Sequence, residues 1–162
     1  MRIHLGANYE GYRTASALRQ SLGAAGHEVI WHAAPDYDEG DDYPAISIRT
    51  IQAVVADEDA GVDALAVIVG GTGAGEVIAA NKVNGGRVVA ATDAAYAASA
   101  RRHSDANGLV LPVLHLDDDL VSEIVTAFLG TEFARGYDDA RRLVNVAEFE
   151  TAGTIEGWMI EE

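Results

Sequence analysis

The chain has 162 residues, no cysteine, and 26 acidic against 11 basic side chains, which gives a formal net charge of −15. This length fits one domain with a full core, and no apolar run approaches the ~20 residues that span a bilayer. The lack of cysteine excludes disulfides, thiolate nucleophiles and Cys-ligated zinc, and the acidic charge argues against nucleic acid or anionic membrane as a partner. Because the first residues are typical of a strand rather than a signal peptide, we expect a single cytoplasmic domain over residues 1–162.

Predicted strands and helices alternate along the chain. Apolar runs predict strands at 3–7, 28–32, 64–69, 87–91 and 108–114. Helical periodicity predicts helices at 14–25, from Pro44, at 75–81, at 93–103 and at 117–130, the last with an acidic run at its start that suits capping. Alternation of helices with continuous apolar strands indicates an α/β fold with a mainly parallel sheet.

Ligands of such sheets bind at the carboxyl ends of the strands. This rule groups the loops 6–12, 33–43 and 70–76, and we extend the group to the region around His103. These segments are therefore the predicted walls of a site.

The most informative stretch is the glycine-rich loop that follows the third predicted strand. Four glycines within the six positions 70–75 precede Glu76 and a predicted helix. Glycines let backbone N–H groups converge on an oxygen anion, and Glu76 is placed to take a proton. This pairing suits proton abstraction next to a carbonyl through an enediolate.

Other interpretations of the same loop can be compared with its sequence. A phosphate-binding P-loop needs Lys and then Ser or Thr after its last glycine, whereas Glu76 and Val77 follow here. A dinucleotide fingerprint lacks its third glycine and would follow the first strand. A third interpretation is a strand-to-helix turn without a ligand, in which Glu76 only interacts favourably with the positive end of the helix dipole. The sequence of the loop alone leaves this interpretation open.

The tail from residue 131 adds no sixth predicted strand. Residues 138–150 predict one helix whose apolar positions are Leu143, Val146 and Phe149. An extra helix beyond a complete α/β domain often packs on a neighbouring copy, so we favour a homodimer, or a larger homo-oligomer, over an unattached tail.

Residues 70–83, which end in the run I-A-A-N-K-V, resemble the sugar-phosphate isomerases of the ribose-5-phosphate isomerase B and galactose-6-phosphate isomerase type. The resemblance runs from residue 2 to about residue 150. Its further matches are Gly6, Gly11-Tyr12, Asp42-Tyr43-Pro44, His103, Asp105-Ala106-Asn107, Phe128-Leu129 and Arg141-Arg142.

The resemblance implies a Rossmann-like three-layer αβα fold and a homodimer with active sites between subunits, without metal or cofactor. It also implies aldose–ketose isomerisation of a sugar phosphate through a cis-enediolate. One branch of the family has a catalytic cysteine at the position of Gly71, and another uses the glutamate that matches Glu76. This chain follows the second pattern.

The resemblance assigns three catalytic residues. Glu76 matches the base, Thr72 a hydroxyl that assists near the reacting carbons, and His103 the residue that opens the sugar ring. The expected substrate-binding residues are Asn8, Tyr9, Tyr43, Gly71, Gly73, Ala74, Gly75, Ser104 and Arg142. Without the resemblance, His103 could simply interact with the C-terminal dipole of its helix.

The chain also departs from the family pattern. Asn8 and Tyr9 stand where the family has aspartate and histidine, within a pattern G-x-D-H-A-G-Y. Leu114 and Asp138 stand where it has arginines, which weakens the expected phosphate site. Three alternatives follow: a phosphosugar isomerase with a rearranged anion pocket, an isomerase of an unphosphorylated or atypical sugar, and a non-catalytic sugar-binding protein.

Overall fold

A five-stranded parallel sheet forms the centre of the computed structural model, which describes residues 1–155. Its strands are β1 (Arg2–Ala7), β2 (Glu28–Trp31), β3 (Ala64–Gly70), β4 (Val88–Ala90) and β5 (Gly108–Pro112). They lie in the order β2-β1-β3-β5-β4, and every neighbouring pair is parallel. Each residue of the central strand β3 is buried, as its unbroken apolar sequence predicts for a strand covered on both faces.

Within the described residues, six α-helices connect the strands or follow the last one. They are α1 (Tyr12–Ala24), α2 (Tyr43–Asp59), α3 (Ala74–Ala80), α4 (Ala94–Ser104), α5 (Asp118–Leu129) and α6 (Tyr137–Ala152). Aspartates cap three of them: Asp42, Asp93 and Asp117 accept hydrogen bonds from N–H groups at the starts of α2, α4 and α5.

The helices form two layers, one on each face of the sheet. On one face, Leu65, Val67 and Val69 of β3 pack with buried residues of α1, α4 and α5. On the other face, Ala66 and Ile68 pack with buried residues of α2 and α3. The alternation of β3 side chains between two cores produces the three-layer αβα arrangement, and the predicted fold class is confirmed.

The structure corrects the end of the last strand. The sequence predicts strand residues to 114, but β5 ends at Pro112 and a 3-10 turn, Val113–His115, follows. Pro112 has no N–H for pairing, and the Leu114 N–H donates instead to the Gly71 carbonyl, at 3.2 Å. Residues 156–162 of the predicted C-terminal extension lie outside the described residues.

The helices run antiparallel to the strands, so the sheet has two distinct edges. The carboxyl edge is where strands end and α2, α3, α4 and α5 begin. The amino edge is where α2, α3 and α4 end and the next strands begin. No helix within residues 1–155 combines the length and apolar character needed to cross a membrane.

Candidate active site

The glycine loop connects β3 to α3 at the carboxyl edge. Gly73 adopts φ +75°, a left-handed conformation that favours glycine, and a Cβ on it would lie 3.0 Å from the Val110 side chain. Gly71 and Gly73 are buried, while Thr72 and Ala74 are exposed. The loop therefore presents a hydroxyl and small side chains to solvent above a tightly packed backbone.

The Glu76 side chain lies beneath this loop. It belongs to the first turn of α3, is 4% exposed, and packs so closely on Gly70 that a Cβ there would overlap its carboxylate. Burial raises the pKa of Glu76, and the negative charges of Glu10 and Asp42 add to this effect, while a backbone hydrogen bond opposes it. A carboxylate that only interacted with the helix dipole could stay in contact with solvent. The burial of Glu76 therefore favours a functional role.

Asn8 contacts Glu76 from the turn after β1. Its side chain is 4% exposed, and its Oδ1 accepts a hydrogen bond from the Gly11 N–H at 3.2 Å. Its Nδ2 lies 3.5 Å from Glu76 Oε1 and 3.5 Å from Glu10 Oε2. Asn8 therefore connects two carboxylates at the outer limit of hydrogen-bonding distance.

Glu10 is the site residue that the sequence prediction missed. Its side chain is exposed at the carboxyl edge, and a Cβ on Gly71 would overlap its carboxylate. The available signal was its position two residues after Asn8, in a loop already predicted to line the site. An acidic residue so close to Glu76 changes the electrostatics of the whole site.

Two tyrosines complete the carboxyl edge. The Tyr43 ring packs on Gly75, where a Cβ would overlap it, and Tyr9 is 40% exposed. The predicted residues that the structure brings to this edge are Asn8, Tyr9, Tyr43, Gly71, Thr72, Gly73, Ala74, Gly75 and Glu76.

The remaining predicted residues, His103, Ser104 and Arg142, lie at the amino edge. His103 Nδ1 lies 2.9 Å from Asp139 Oδ2, and Arg142 donates to Asp139 Oδ1 at 2.8 Å. All three line an open cavity of about 490 Å³ together with Asp139. The hydrogen bond from His103 lowers the pKa of Asp139, with Arg142 adding to the effect.

The prediction that the His103 region shares the carboxyl edge is therefore wrong for a single chain. The helix α4 begins at that edge after β4 but runs back along the sheet, so His103 and Ser104 at its C-terminus reach the opposite edge. Within one chain, the structure does not bring His103 beside Glu76.

The two residues that replace expected arginines lie at different edges. Leu114, 62% exposed, follows β5 and lies beside the glycine loop through its backbone bond to Gly71. Asp138, in the first turn of α6, lies 3.6 Å from Arg141 in an exposed ion pair. Among residues 1–155, no group of three or more His, Asp or Glu side chains is arranged to hold a metal ion.

Comparisons with known proteins give the family. Residues 3–146 match the family profile described as Ribose/Galactose Isomerase. Ribose-5-phosphate isomerase B of Mycobacterium tuberculosis is 37% identical over 151 residues, which cover 93% of this chain and 90% of the relative.

Solved structures agree with this result. Ribose-5-phosphate isomerase B of Mycoplasma genitalium, solved with bound ribulose-5-phosphate, matches with a TM-score of 0.87 and 27% identity, over 93% of this chain and 97% of that one. The Clostridium thermocellum ribose-5-phosphate isomerase B gives a TM-score of 0.84 and 32% identity, over 95% and 100% of the two chains. This chain therefore belongs to the Ribose/Galactose Isomerase family and is an isomerase.

Proposed function

We propose that this protein interconverts an aldose phosphate and the corresponding ketose phosphate, of the ribose 5-phosphate and ribulose 5-phosphate type, through a cis-enediolate. The observation that carries the proposal is the buried Glu76 carboxylate beneath the glycine loop. A buried carboxylate with a raised pKa is a stronger base than one in water, which suits the removal of a weakly acidic proton next to a carbonyl.

The proposed reaction moves one proton between two carbons. Glu76 takes the proton from C2 of the open-chain aldose, and the electron pair left behind forms the C1–C2 double bond as the carbonyl oxygen becomes an oxyanion. Backbone N–H groups of residues 71–75 stabilise that oxyanion, and the exposed Thr72 hydroxyl assists at the sugar oxygens. Glu76 then returns the proton to C1, while the hydroxyl proton on the C2 oxygen passes to the C1 oxyanion, so that the ketose carbonyl forms at C2 and a hydroxyl at C1.

We also propose that the active unit is a homodimer of single-domain subunits in the cytoplasm. Glu76 and His103 lie at opposite edges of one chain, so a site that contains both needs a second copy. The helix α6 supports this, because it exposes 64% of Val144, 53% of Val146 and 54% of Phe149. We assign residues 131–162 to the contact with the partner.

A second candidate is an isomerase of an unphosphorylated or atypical sugar. The observation that favours it is the pairing of Arg142 with Asp139 and of Arg141 with Asp138, because each aspartate offsets a charge that could attract a phosphate. The exposed Leu114 beside the glycine loop adds no charge of its own. The non-catalytic alternative has no comparable support, because it gives no role to the buried Glu76 carboxylate.

Deuterium exchange tests the common step of both candidates. A panel of aldoses and aldose phosphates is incubated with the protein in D₂O, and label at C2 is followed by NMR together with ketose formation. Exchange that depends on Glu76, with Glu76→Gln as the control, supports the proposal. Lack of exchange with every sugar in the panel would contradict it.

A further inference from the structure

The orientation of the Asn8 side chain is fixed by its neighbours. Because Asn8 Oδ1 accepts the Gly11 N–H, the amide nitrogen must point the other way, toward the carboxylates of Glu10 and Glu76. A carboxamide nitrogen carries two hydrogens, one for each carboxylate. An aspartate at position 8 would instead bring a third negative charge to the same place.

Two consecutive glycines make room for this arrangement. The Glu76 carboxylate occupies the space beside Gly70, and the Glu10 carboxylate occupies the space beside Gly71. The two acids differ in environment, because Glu76 is buried and Glu10 is exposed. Placing a second negative charge beside a buried carboxylate costs folding free energy, which indicates a functional reason for Glu10.

We propose that Glu10 is a positioning residue for Glu76: its carboxylate, linked to Glu76 through Asn8, holds the base in place and strengthens it. This inference rests on the proposed function, in which Glu76 removes the carbon-bound proton. It goes further by assigning a role to a residue outside the glycine loop and to the asparagine that connects them.

The charges around Glu76 support the proposal. From the turn after β1, Glu10 faces Glu76, and from the start of α2 the capping carboxylate of Asp42 acts in the same direction. The aromatic ring of Tyr43 covers Gly75 on the same side. Both acids disfavour the ionised form of Glu76 and so raise its affinity for a proton, which makes it a better base once ionised.

The first test is the pH dependence of kcat/KM. In Glu10→Gln, which keeps an oxygen for Asn8 but removes the charge, we expect the acidic limb to move about one pH unit lower and the plateau kcat to fall about threefold. Glu10→Asp, which restores the charge, should return the limb toward its original position. The control Glu123→Gln removes one exposed charge from α5 and should leave the profile unchanged.

The second test does not depend on turnover. The Glu76 carboxyl carbon is observed by NMR in protein labelled with ¹³C-glutamate and is assigned by its loss in Glu76→Gln. Its titration should move to lower pH in Glu10→Gln and not in Glu123→Gln. An unmoved Glu76 titration overturns the proposal, even if Glu10→Gln is less active.

The same pair of measurements separates this inference from the proposed function. If the wild-type protein isomerises none of the sugars but its Glu76 titration shifts in Glu10→Gln, the proposed function fails and the action of Glu10 on Glu76 stands. If the protein isomerises sugars but the limb and the titration are both unmoved, the function stands and Glu10 has no role through Glu76.

Discussion

The two edges of the sheet carry opposite kinds of functional groups. At the carboxyl edge, Glu76 and Asn8 are each 4% exposed and held by packing against glycines. At the amino edge, the side chains of His103 and Arg142 are 56% and 63% exposed and meet at Asp139. The comparison shows a buried carboxylate held by packing within one chain at the first edge, and an open cluster of charged side chains at the second edge. This difference is expected if the proposed second copy completes the site.

The largest expected effect comes from the carboxyl edge. Glu76→Gln should lower kcat about 10³-fold with little change in KM, because it removes the base and almost no volume. Because the pKa of Glu76 is raised in the folded state, ionisation of Glu76 opposes folding above its unfolded pKa. The variant should therefore show an equal or higher Tm at pH 7, and near-normal turnover would exclude Glu76 as the base.

The next prediction concerns the contribution of both edges to one site. Mixing inactive Glu76→Gln and inactive His103→Ala subunits should restore about one quarter of wild-type activity, because half of the random dimers are mixed and each has one intact site. Each variant mixed with itself is the control. A protein that is monomeric by light scattering and is fully active would contradict the composite site.

A smaller effect is expected from substitutions at the amino edge. The change in KM there distinguishes a phosphorylated from an unphosphorylated substrate. Arg142→Ala should raise KM about tenfold for a phosphorylated sugar, because a charge-assisted contact is lost, and should leave KM for a neutral sugar unchanged. Asp139→Asn, which releases Arg142, should act in the opposite direction. Steady-state kinetics of both variants on matched sugars and sugar phosphates measures the difference.

The residues at the positions of two expected arginines, one at each edge, predict weak binding of ribose 5-phosphate itself. With Leu114 and Asp138 at the positions of expected arginines, we expect it to be a poor substrate whose KM rises with salt, since exposed attraction is screened over about 8 Å at physiological ionic strength. KM measured across a salt series checks this. Efficient turnover at high salt would contradict it.

The smallest expected effect concerns the free energy of unfolding at acidic pH. It distinguishes loss of the folded state from loss of catalysis as pH falls. His4 lies between Asp57 and His32, at 2.8 Å from each, and burial together with the charges of His4 and Arg49 lowers the pKa of His32 to about 4. A histidine whose pKa is lowered on folding binds more protons when unfolded, so stability falls as pH drops from about 6.5 to about 4.

Because His32 is only partly buried, we expect this loss to be about 1 to 2 kcal/mol. Urea unfolding at a series of pH values measures it, and His32→Gln, which keeps a donor for His4, should flatten the slope. An unchanged slope in that variant would assign the acid sensitivity to other groups.

The sequence predicts the elements well because their signals are local. The apolar run of β3, the aspartate at the start of α5 and the contact of Asn8 with the Glu76 region follow from periodicity, capping and the edge rule. The position of His103 does not follow from the same rule, because the rule fixes the edge at which α4 begins and not the edge at which it ends. Glu10 was missed because the direction of a side chain in a turn depends on the tertiary packing of Gly71 and Asn8.

The close approach of Gly71 and Glu10 also constrains how this sequence can change. Any side chain at position 71 would overlap the Glu10 carboxylate, including the cysteine that the resemblance assigns to another branch of the family. Because this carboxylate is the far end of an exposed side chain, we expect Gly71→Cys to displace it from its place beside Asn8. A side chain at position 71 and the Glu10 carboxylate therefore compete for one volume, so a cysteine at this position and a carboxylate held against Asn8 are alternatives in the same loop.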